Sequence, residues 1–396
     1  MMKRSAGLEL SYCTNVHPGE SWCELRQVLE TSVAAVKHRV CPHTSFGLGL
    51  RLSNRAVCEL SEGRPREQFF ETLERQKLYV FTLNGFPYGA FHGTRVKEQV
   101  YVPDWSDPER AAYTLRLAEL LAQALPSHVR YGSISTVPGC FSAMASEPAR
   151  RSIVAALVHM AAELWRLRQE TGKHIVLALE PEPMCLLETT DETVAFFETM
   201  LWSAAALCDF RARTGLSASQ AESAIRDHLG VCIDVCHVAV EYENAVQVLH
   251  RLRGAGIGVA KVQISAALML VPTPASLSLL EAFADDVYLH QVVVRGHDDR
   301  LSRFLDLPDA LRSEAARGAK QWRVHFHVPV FFDRIGAFET TRFELETVLP
   351  LLAREPICGH LEVETYSWNM LPSHLRADTL VNDIARELEW VQGIMV

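Results

Sequence analysis

Four apolar stretches of this sequence end in an acid or an amide, which is an unusual ending for a buried β-strand. The stretches are residues 175–180, 230–234, 259–263 and 361–364, and they end at Glu180, Asp234, Gln263 and Glu364. Buried parallel strands carry apolar side chains on both faces, so these endings indicate a bound cation or a reaction. Three carboxylates and an amide are hard oxygen ligands that suit Mg²⁺ or Mn²⁺. We therefore predict a divalent-metal site formed by these four side chains.

Histidines near these strand ends widen the range of expected metals. His237 follows Asp234 by three residues, so it could bind the ion or contact a substrate oxygen. If a histidine does bind the ion, Zn²⁺, Co²⁺ or Mn²⁺ become better candidates. His325 and His327 share one face of another apolar stretch. They could form a second pair of ligands, or they could be structural histidines whose hydrogen bonds are satisfied.

The sequence leaves alternatives open at three of the metal positions. Glu362 and Glu364 lie on the same face of a strand, because side chains alternate with a period of two. We favour Glu364, which lies nearer the end of its strand. Glu182 competes with Glu180 in the same way, and Gln263 could instead hydrogen-bond within the core.

The elements that would position these side chains alternate between strands and helices along the whole chain. Strand patterns at 8–12, 46–51, 78–84 and 131–136 precede the four stretches above, and helical patterns such as 110–124 and 148–171 separate them. This alternation is typical of parallel βα units. About eight such units predict a (β/α)8 TIM barrel with its ligand site at the C-terminal ends of the strands. A doubly wound open sheet is the alternative, but the glycine-rich loop that it would need after the first strand is absent.

The sequence indicates a single domain over residues 1–396, with an insertion at 266–323 before the last strands. The insertion is less regular than the rest of the chain, and it contains a strand pattern at 287–294. Residues 324–330 form another strand pattern. Since the candidates exceed the eight strands of a barrel, we expect one or two extra strands in this part of the chain.

Composition narrows the class of protein and its partners. The chain is 48% hydrophobic and 22% charged, as expected for a globular protein with a large core. A net charge of −9 repels phosphate, which argues against a nucleic-acid partner. Ten cysteines without a paired framework, and the absence of a signal-peptide pattern, predict reduced thiols and a cytoplasmic location.

The motifs at the four strand ends resemble those of the xylose-isomerase-like TIM-barrel superfamily of sugar isomerases, epimerases and endonuclease IV. The motifs are LALEPEP, CIDVCH, KVQIS and LEVETY. The resemblance implies a divalent cation bound by Glu180, Asp234, Gln263 and Glu364. Glutamine at the third position is similar to the hydroxypyruvate-isomerase branch, and Asp234 with His237 resembles the D-x-x-H of ketose 3-epimerases.

Longer motifs resemble the EboE family, TIM-barrel proteins of the bacterial ebo metabolite-traffic operon. These motifs lie at residues 12–22, 82–89, 325–329 and 364–368. The resemblance implies a part in the traffic of secondary-metabolite precursors, with a small-molecule substrate, membrane-protein partners of the same operon and a homo-oligomer. The motifs and the aromatic loop after the third strand supply the candidate substrate-binding residues: Asn15, His17, Asn84, Phe86, Tyr88, Trp105, Tyr366 and His327.

From these features we expect a metal-dependent isomerase or epimerase acting on a small hydroxy-carbonyl compound. Glu180 and Glu364 would remove and return a proton, and His237 would bind a substrate oxygen. A non-catalytic metabolite carrier of an export system is the second hypothesis. An endonuclease-IV-like phosphodiesterase is the third, and the net charge and the few histidines at strand ends argue against it.

Overall fold

A closed ring of eight parallel strands is the centre of this computed structural model, which describes residues 7–93, 95–284, 287–368, 371 and 375–396. In chain order the strands are β1 (Glu9–Tyr12), β2 (Phe46–Arg51), β3 (Leu78–Asn84), β4 (Gly132–Thr136), β5 (Ile175–Leu179), β6 (Leu229–Asp234), β7 (Val259–Ile264), β8 (Ala266–Leu270), β9 (Val292–Arg295), β10 (Leu301–Phe304), β11 (Gln321–Val328), β12 (Arg334–Ile335), β13 (Phe338–Thr340) and β14 (His360–Val363).

Eight of these strands form the barrel in the order β1-β14-β7-β6-β5-β4-β3-β2. All of the paired neighbours are parallel. The ring closes where β1 meets β2, through a bridge between Cys13 and Gly49. The (β/α)8 barrel predicted from the alternating elements is therefore confirmed, and the open doubly wound sheet is wrong.

Helices connect these strands, and most of those outside the segment between β8 and β11 pack around the barrel. They are α1 (Trp22–Val28), α2 (Ala34–Val40), α3 (Asn54–Glu59), α4 (Gly63–Gln76), α5 (Pro108–Ala124), α6 (Glu147–Thr171), α7 (Thr190–Phe196), α8 (Ala204–Thr214), α9 (Ala218–His228), α10 (Val235–Val240), α11 (Ala245–Gly254), α12 (Pro274–Leu280), α13 (Leu307–Arg312), α14 (Glu314–Arg317), α15 (Arg342–Arg354) and α16 (Leu380–Ile394). Local sequence sets several of their ends. Ser21 and Glu24 form a capping box at the start of α1, and Gly172 ends α6 at a φ of 71°, which glycine adopts without strain.

A second sheet of six antiparallel strands follows β7 in the chain. Its order is β10-β9-β11-β8-β13-β12, and it extends from Ala266 to Thr340. The extra strand expected near residues 324–330 is β11. Ion pairs join this part of the chain to the barrel. Lys97 Nζ, in the long loop after β3, lies 2.6 Å from Asp306 Oδ2, and Arg303 pairs with Glu241 after α10 at 2.5 Å.

The barrel interior holds a buried ion pair rather than aliphatic side chains alone. Lys261 Nζ on β7 lies 2.6 Å from Glu362 Oε2 on β14, and both side chains are completely buried. Gly49 on β2 makes room for this pair, since a Cβ atom there would lie 1.6 Å from Glu362 Oε1. Burial alone would lower the pKa of the Lys261 ammonium, but the Glu362 carboxylate leaves it above its usual value.

Within the described part of the chain, no single helix is both long and apolar enough to cross a membrane. The segments Thr190–Leu201 and Ala204–Thr214 satisfy the length and composition criteria only as a pair, and they are bent by 58° at their junction.

Candidate metal centre

Three of the four predicted metal ligands meet at the C-terminal end of the barrel. Glu180 follows β5 directly, Asp234 is the last residue of β6, and Glu364 follows β14. One carboxylate oxygen from each lies within 4.8 Å of the other two, and all three residues are buried. Parallel register produces this convergence, because the strands run in the same direction and end at one edge.

Gln263, the fourth predicted ligand, lies on β7 between Asp234 of β6 and Glu362 of β14 in the strand register. Its side chain is completely buried. Its amide oxygen and nitrogen have no hydrogen-bond partner among the described residues, so the structure does not contain the core hydrogen bond considered from the sequence. Glu180 Oε2 and Asp234 Oδ2 are also buried without such a partner. Buried polar atoms are normally paired, so this group of oxygens is suited to a cation.

Glu362 and Glu364, which the sequence could not separate, lie in different layers. Glu362 contacts Lys261 inside the barrel. Glu364 lines the cavity above it, and its Oε1 accepts hydrogen bonds from Asn15 Nδ2 at 2.6 Å and Asn84 Nδ2 at 3.0 Å. These two amides orient the Glu364 carboxylate and leave its Oε2 free of them.

Glu182, the competitor of Glu180, also lines the cavity but is already engaged. Its Oε1 accepts hydrogen bonds from the Tyr101 hydroxyl at 2.7 Å and from Gln291 Nε2 at 3.2 Å. Burial raises the pKa of the Glu182 carboxyl to about 7. Glu182 Oε1 is therefore engaged by Tyr101 and Gln291, and Glu182 also offers an oxygen within 4.8 Å of ligand nitrogens of His237 and His325.

Burial and mutual repulsion perturb the clustered carboxyl groups. The pKa values of Glu180 and Glu364 lie well above the usual range, first because both groups are buried and then because neighbouring carboxylates repel their ionised forms. Burial would also raise the pKa of Asp234, but His237, His327 and a hydrogen bond from a serine leave it below its usual value. A cation among these groups would offset the repulsion between their ionised forms and lower the pKa values of Glu180 and Glu364.

Three histidines converge beside the carboxylates. His237 lies on α10, directly after β6, whereas His325 and His327 lie on β11 of the second sheet. The Nε2 atom of His325 is 3.1 Å from that of His237 and 3.0 Å from that of His327. Burial lowers the pKa of all three imidazoles, that of His237 to about 4. From the sequence, the few histidines at strand ends argued against a phosphodiesterase. The structure contains a cluster of three histidines at this site, so that argument is wrong.

Glu180 and Glu364 line a cavity whose empty volume, including its opening to solvent, is about 570 Å³. Its inner end is polar, with carboxylates, imidazoles and the amides of Asn15 and Asn84. Its wall is largely apolar or aromatic and comes from the loop after β3, from the second sheet and from the segment after β14: Phe86, Pro87, Phe91, Val96, Val100, Leu289, Tyr288 and Tyr366. The cavity thus combines a polar base with an apolar wall.

Five of the eight predicted substrate-binding residues line this cavity: Asn15, Asn84, Phe86, His327 and Tyr366. The sequence did not indicate other lining residues such as Lys97, Tyr101 and Leu289. These residues lie in irregular segments whose approach to the barrel depends on long-range packing, so no local pattern identifies them.

The other three predicted contacts, His17, Tyr88 and Trp105, are not among the described lining residues, and this is a correction. Trp105 is completely buried and donates a hydrogen bond from Nε1 to Thr136 Oγ1 at 3.2 Å. The Tyr88 hydroxyl is directed towards α5 and donates to a glutamate there at 3.4 Å. His17 Nε2 lies 3.0 Å from the Tyr12 hydroxyl. Trp105 and His17 are buried elsewhere in the protein, and Tyr88 is partly exposed to solvent.

No family model and no curated protein matches this chain. Among solved structures, the IolI protein with a bound zinc atom aligns over 98% of both chains at 10% identity, with a TM-score of 0.45. A fusion of a xylose-isomerase-like TIM barrel with a 4-hydroxyphenylpyruvate dioxygenase aligns at 12% identity and a TM-score of 0.43, over 97% of this chain and 42% of that one. A family 2 AP endonuclease from Brucella melitensis aligns at 12% identity and a TM-score of 0.35, over 65% and 78%. These structural neighbours include xylose-isomerase-like barrels, and the similarity extends no further than the fold.

Proposed function

We propose that this protein is a divalent-metal-dependent isomerase or epimerase acting on a small hydroxy-carbonyl compound. The observation that carries the proposal is the group formed by Glu180, Asp234 and Glu364. Their oxygens lie within 4.8 Å of one another, at the base of a cavity that can hold a small molecule. Buried carboxylates in a cavity, with strongly shifted pKa values, are typical of functional sites.

The donor set fits a divalent cation. Glu180, Asp234, Gln263 and Glu364 would hold it, and three of them offer buried oxygens that lack a hydrogen-bond partner in the described structure. Such oxygens suit Mg²⁺ and Mn²⁺, and the nearby imidazoles extend the range to Co²⁺ and Zn²⁺. When bound, a divalent cation supplies Lewis-acid polarisation of a carbonyl or hydroxyl oxygen.

We propose that Glu180 and Glu364 move a proton on opposite sides of a bound substrate. They extend from β5 and β14, which are separated in the barrel by β6 and β7. Glu364 is held by Asn15 and Asn84 through Oε1, so we assign proton removal to its Oε2. Glu180 Oε2 has no hydrogen-bond partner among the described residues, and we assign to it the return of the proton.

The wall of the cavity favours a substrate with an apolar or aromatic part. A free sugar exposes hydroxyl groups around its whole length, and each would need a polar partner when buried. Here the polar groups are concentrated at the base, whereas the wall is made of residues such as Phe86, Val100 and Leu289. We therefore propose a compound whose hydroxy-carbonyl end binds at the centre and whose apolar part contacts the wall.

The motifs shared with the EboE family support a biological setting for this activity. We propose that the protein acts in the cytoplasm on a secondary-metabolite precursor, as part of a metabolite-traffic system with membrane-protein partners, and that it forms a homo-oligomer. Pull-down of the tagged chain from cells that express the neighbouring membrane proteins tests the partners. Light scattering of the purified chain tests the oligomer.

Proton exchange at the carbon next to a carbonyl tests the reaction. The metal-free protein is reloaded with Mn²⁺, Mg²⁺, Co²⁺ or Zn²⁺ and incubated in D₂O with a panel of ketoses and of α-hydroxy ketones bearing alkyl or aryl groups. Deuterium incorporation is then measured by mass spectrometry. We expect exchange with at least one metal and its loss in Glu364→Gln. Glu109→Gln, an exposed residue on α5, serves as the matched control.

Two outcomes would favour other functions. Absence of exchange with every metal across the panel contradicts an isomerase or epimerase. If Glu364→Gln then still supports metabolite transport in cells, a carrier explains the cavity better. The cluster of His237, His325 and His327 specifically favours a phosphodiesterase as the second catalytic candidate, and hydrolysis of bis(p-nitrophenyl) phosphate by the zinc-loaded protein tests it.

A further inference from the structure

The contacts of the three histidines define which nitrogen of each ring carries a proton. Each Nδ1 atom lies 2.7–3.0 Å from an oxygen that can only accept a hydrogen bond: Pro181 O for His237, Gln291 Oε1 for His325, and Glu364 O for His327. The Gln291 amide is oriented by its Nε2, which donates to oxygens of Tyr101, Glu182 and Pro183. Each Nδ1 is therefore the protonated nitrogen of its neutral ring, and each Nε2 carries a lone pair.

The Nε2 atom of His325 contacts those of both other rings, and His237 and His327 offer ligand atoms that lie within 4.8 Å of each other and of an Asp234 oxygen. The two contacts of His325 Nε2, at 3.1 Å to His237 and 3.0 Å to His327, have hydrogen-bond length, but neutral rings have no proton to place in them. A protonated His325 has a single Nε2–H, which could be donated to one neighbour and would leave the other contact without a hydrogen. Neither protonation state satisfies both contacts, whereas one cation accepts all three lone pairs.

We propose that His237, His325 and His327 bind a second divalent cation of the zinc class, next to the ion of the carboxylate group. Tetrahedral zinc with Zn–N bonds of about 2.0–2.1 Å places its nitrogens about 3.3 Å apart. The observed separations of 3.0 and 3.1 Å are close to that value. Imidazole ligands suit zinc particularly well, and zinc is also bound by carboxylate oxygens such as those of the carboxylate group.

Asp234 is the fourth ligand in this arrangement. Its Oδ2 lies 3.9 Å from His327 Nε2 and has no hydrogen-bond partner among the described residues. Its Oδ1 is engaged by the Ser265 hydroxyl at 2.6 Å and by the backbone N–H of His237 at 3.0 Å. Because Asp234 also belongs to the group with Glu180 and Glu364, its carboxylate would lie between the two ions.

The hydrogen bonds made by the three histidines resemble those made by histidine ligands in metal-binding proteins. Histidine ligands of metals commonly donate their other ring N–H to a carbonyl or carboxylate oxygen, which fixes the tautomer and the ring orientation. All three Nδ1 atoms do so here. The assignment replaces the substrate contact predicted for His237, and it gives the second sheet a direct part in the centre, since β11 supplies two of the ligands.

Metal content tests this proposal without any turnover, so its failure and the failure of the proposed reaction are distinguishable. The protein is stripped with dipicolinate, reloaded with Zn²⁺, dialysed, and measured by inductively coupled plasma mass spectrometry. We expect about two zinc ions in the unmodified chain and about one in His325→Ala and His327→Ala. His228→Ala, which removes a buried histidine far from the centre with the same Nδ1-to-carbonyl contact, should keep two.

X-ray absorption at the zinc edge provides the second measurement. We expect imidazole scattering from the fully loaded protein and its marked decrease in His325→Gln, which retains a side chain of similar length if the alanine variant does not fold. A single zinc ion in the unmodified chain, or unchanged zinc content in His325→Gln and His327→Ala, would overturn the proposal. Loss of all zinc in a folded His325→Gln variant would also overturn it, because the carboxylate group would then hold no ion of its own.

Discussion

Replacing Lys261 by methionine would leave the Glu362 carboxylate in the barrel interior without its cation. The two groups are 2.6 Å apart, and neither side chain is exposed. Glu362 cannot turn away easily, because it packs against Gly49 so closely that a Cβ atom there would overlap it. Methionine has a similar length to lysine, so the change removes the charge and leaves no large void.

The expected loss of stability is large. Removing one partner of a buried ion pair costs about 3–5 kcal/mol, compared with a total unfolding free energy of about 5–15 kcal/mol. Removing both charges, in Lys261→Met with Glu362→Gln, leaves no unpaired ion and should cost much less than the single change. A double-mutant cycle should therefore give a coupling energy of about 2–3 kcal/mol.

Urea unfolding of the metal-free protein, followed by circular dichroism, measures these free energies. Arg55→Met is the matched control, because it breaks an exposed ion pair with Glu59 at 3.0 Å and should change stability by less than about 1 kcal/mol. If Lys261→Met costs no more than this control, or if the two buried changes are simply additive, the reasoning about the barrel interior is refuted.

Two further expectations concern pH and ligand shape. Burial raises the pKa of the Glu387 carboxyl to about 8, against about 4.3 in an unfolded chain. The native state therefore binds this proton more tightly, and its contribution to stability should be complete below about pH 4 and decrease as the pH rises towards 8. Glu387→Gln should flatten that part of the stability curve in urea titrations between pH 5 and 9, and an unchanged slope would contradict the assignment. In the metal-loaded protein, each methylene added to an alkyl hydroxamate should tighten binding about four-fold in calorimetry, because burying one methylene contributes about 0.8 kcal/mol. A series whose affinity does not depend on tail length would exclude the apolar contact with the wall, and Leu289→Ser should weaken the long-chain members.

The sequence predicted the carboxylate group because its geometry follows from local patterns. Glu180, Asp234 and Glu364 each end an apolar stretch, and parallel strands of similar length in a closed barrel end at one edge. Period-two alternation could not separate Glu362 from Glu364. That distinction depends on depth inside the barrel, where Lys261 occupies the layer of Glu362.

The histidine cluster depends on packing that the sequence does not encode locally. His237 and His325 are 88 residues apart, and they meet because β11 pairs with β8 and β9 in the second sheet. Aromatic residues of the long loop illustrate the same difficulty. Phe86 faces the cavity whereas Trp105 is buried against Thr136. The composition of the loop does not predict which way either side chain points.

Charge balance connects the barrel interior with the centre above it. Glu180, Asp234, Glu362 and Glu364 are four buried carboxyl groups, and Lys261, which lies 2.6 Å from one of them, cannot compensate all four. Without further cations, burial and the neighbouring carboxylates favour the protonated forms of Glu180 and Glu364, whose pKa values lie well above the usual range. Cation binding and proton release are then linked, because an ion that enters the group displaces those protons. Ion binding would in this way ionise Glu364, the carboxylate to which the proposed reaction assigns proton removal.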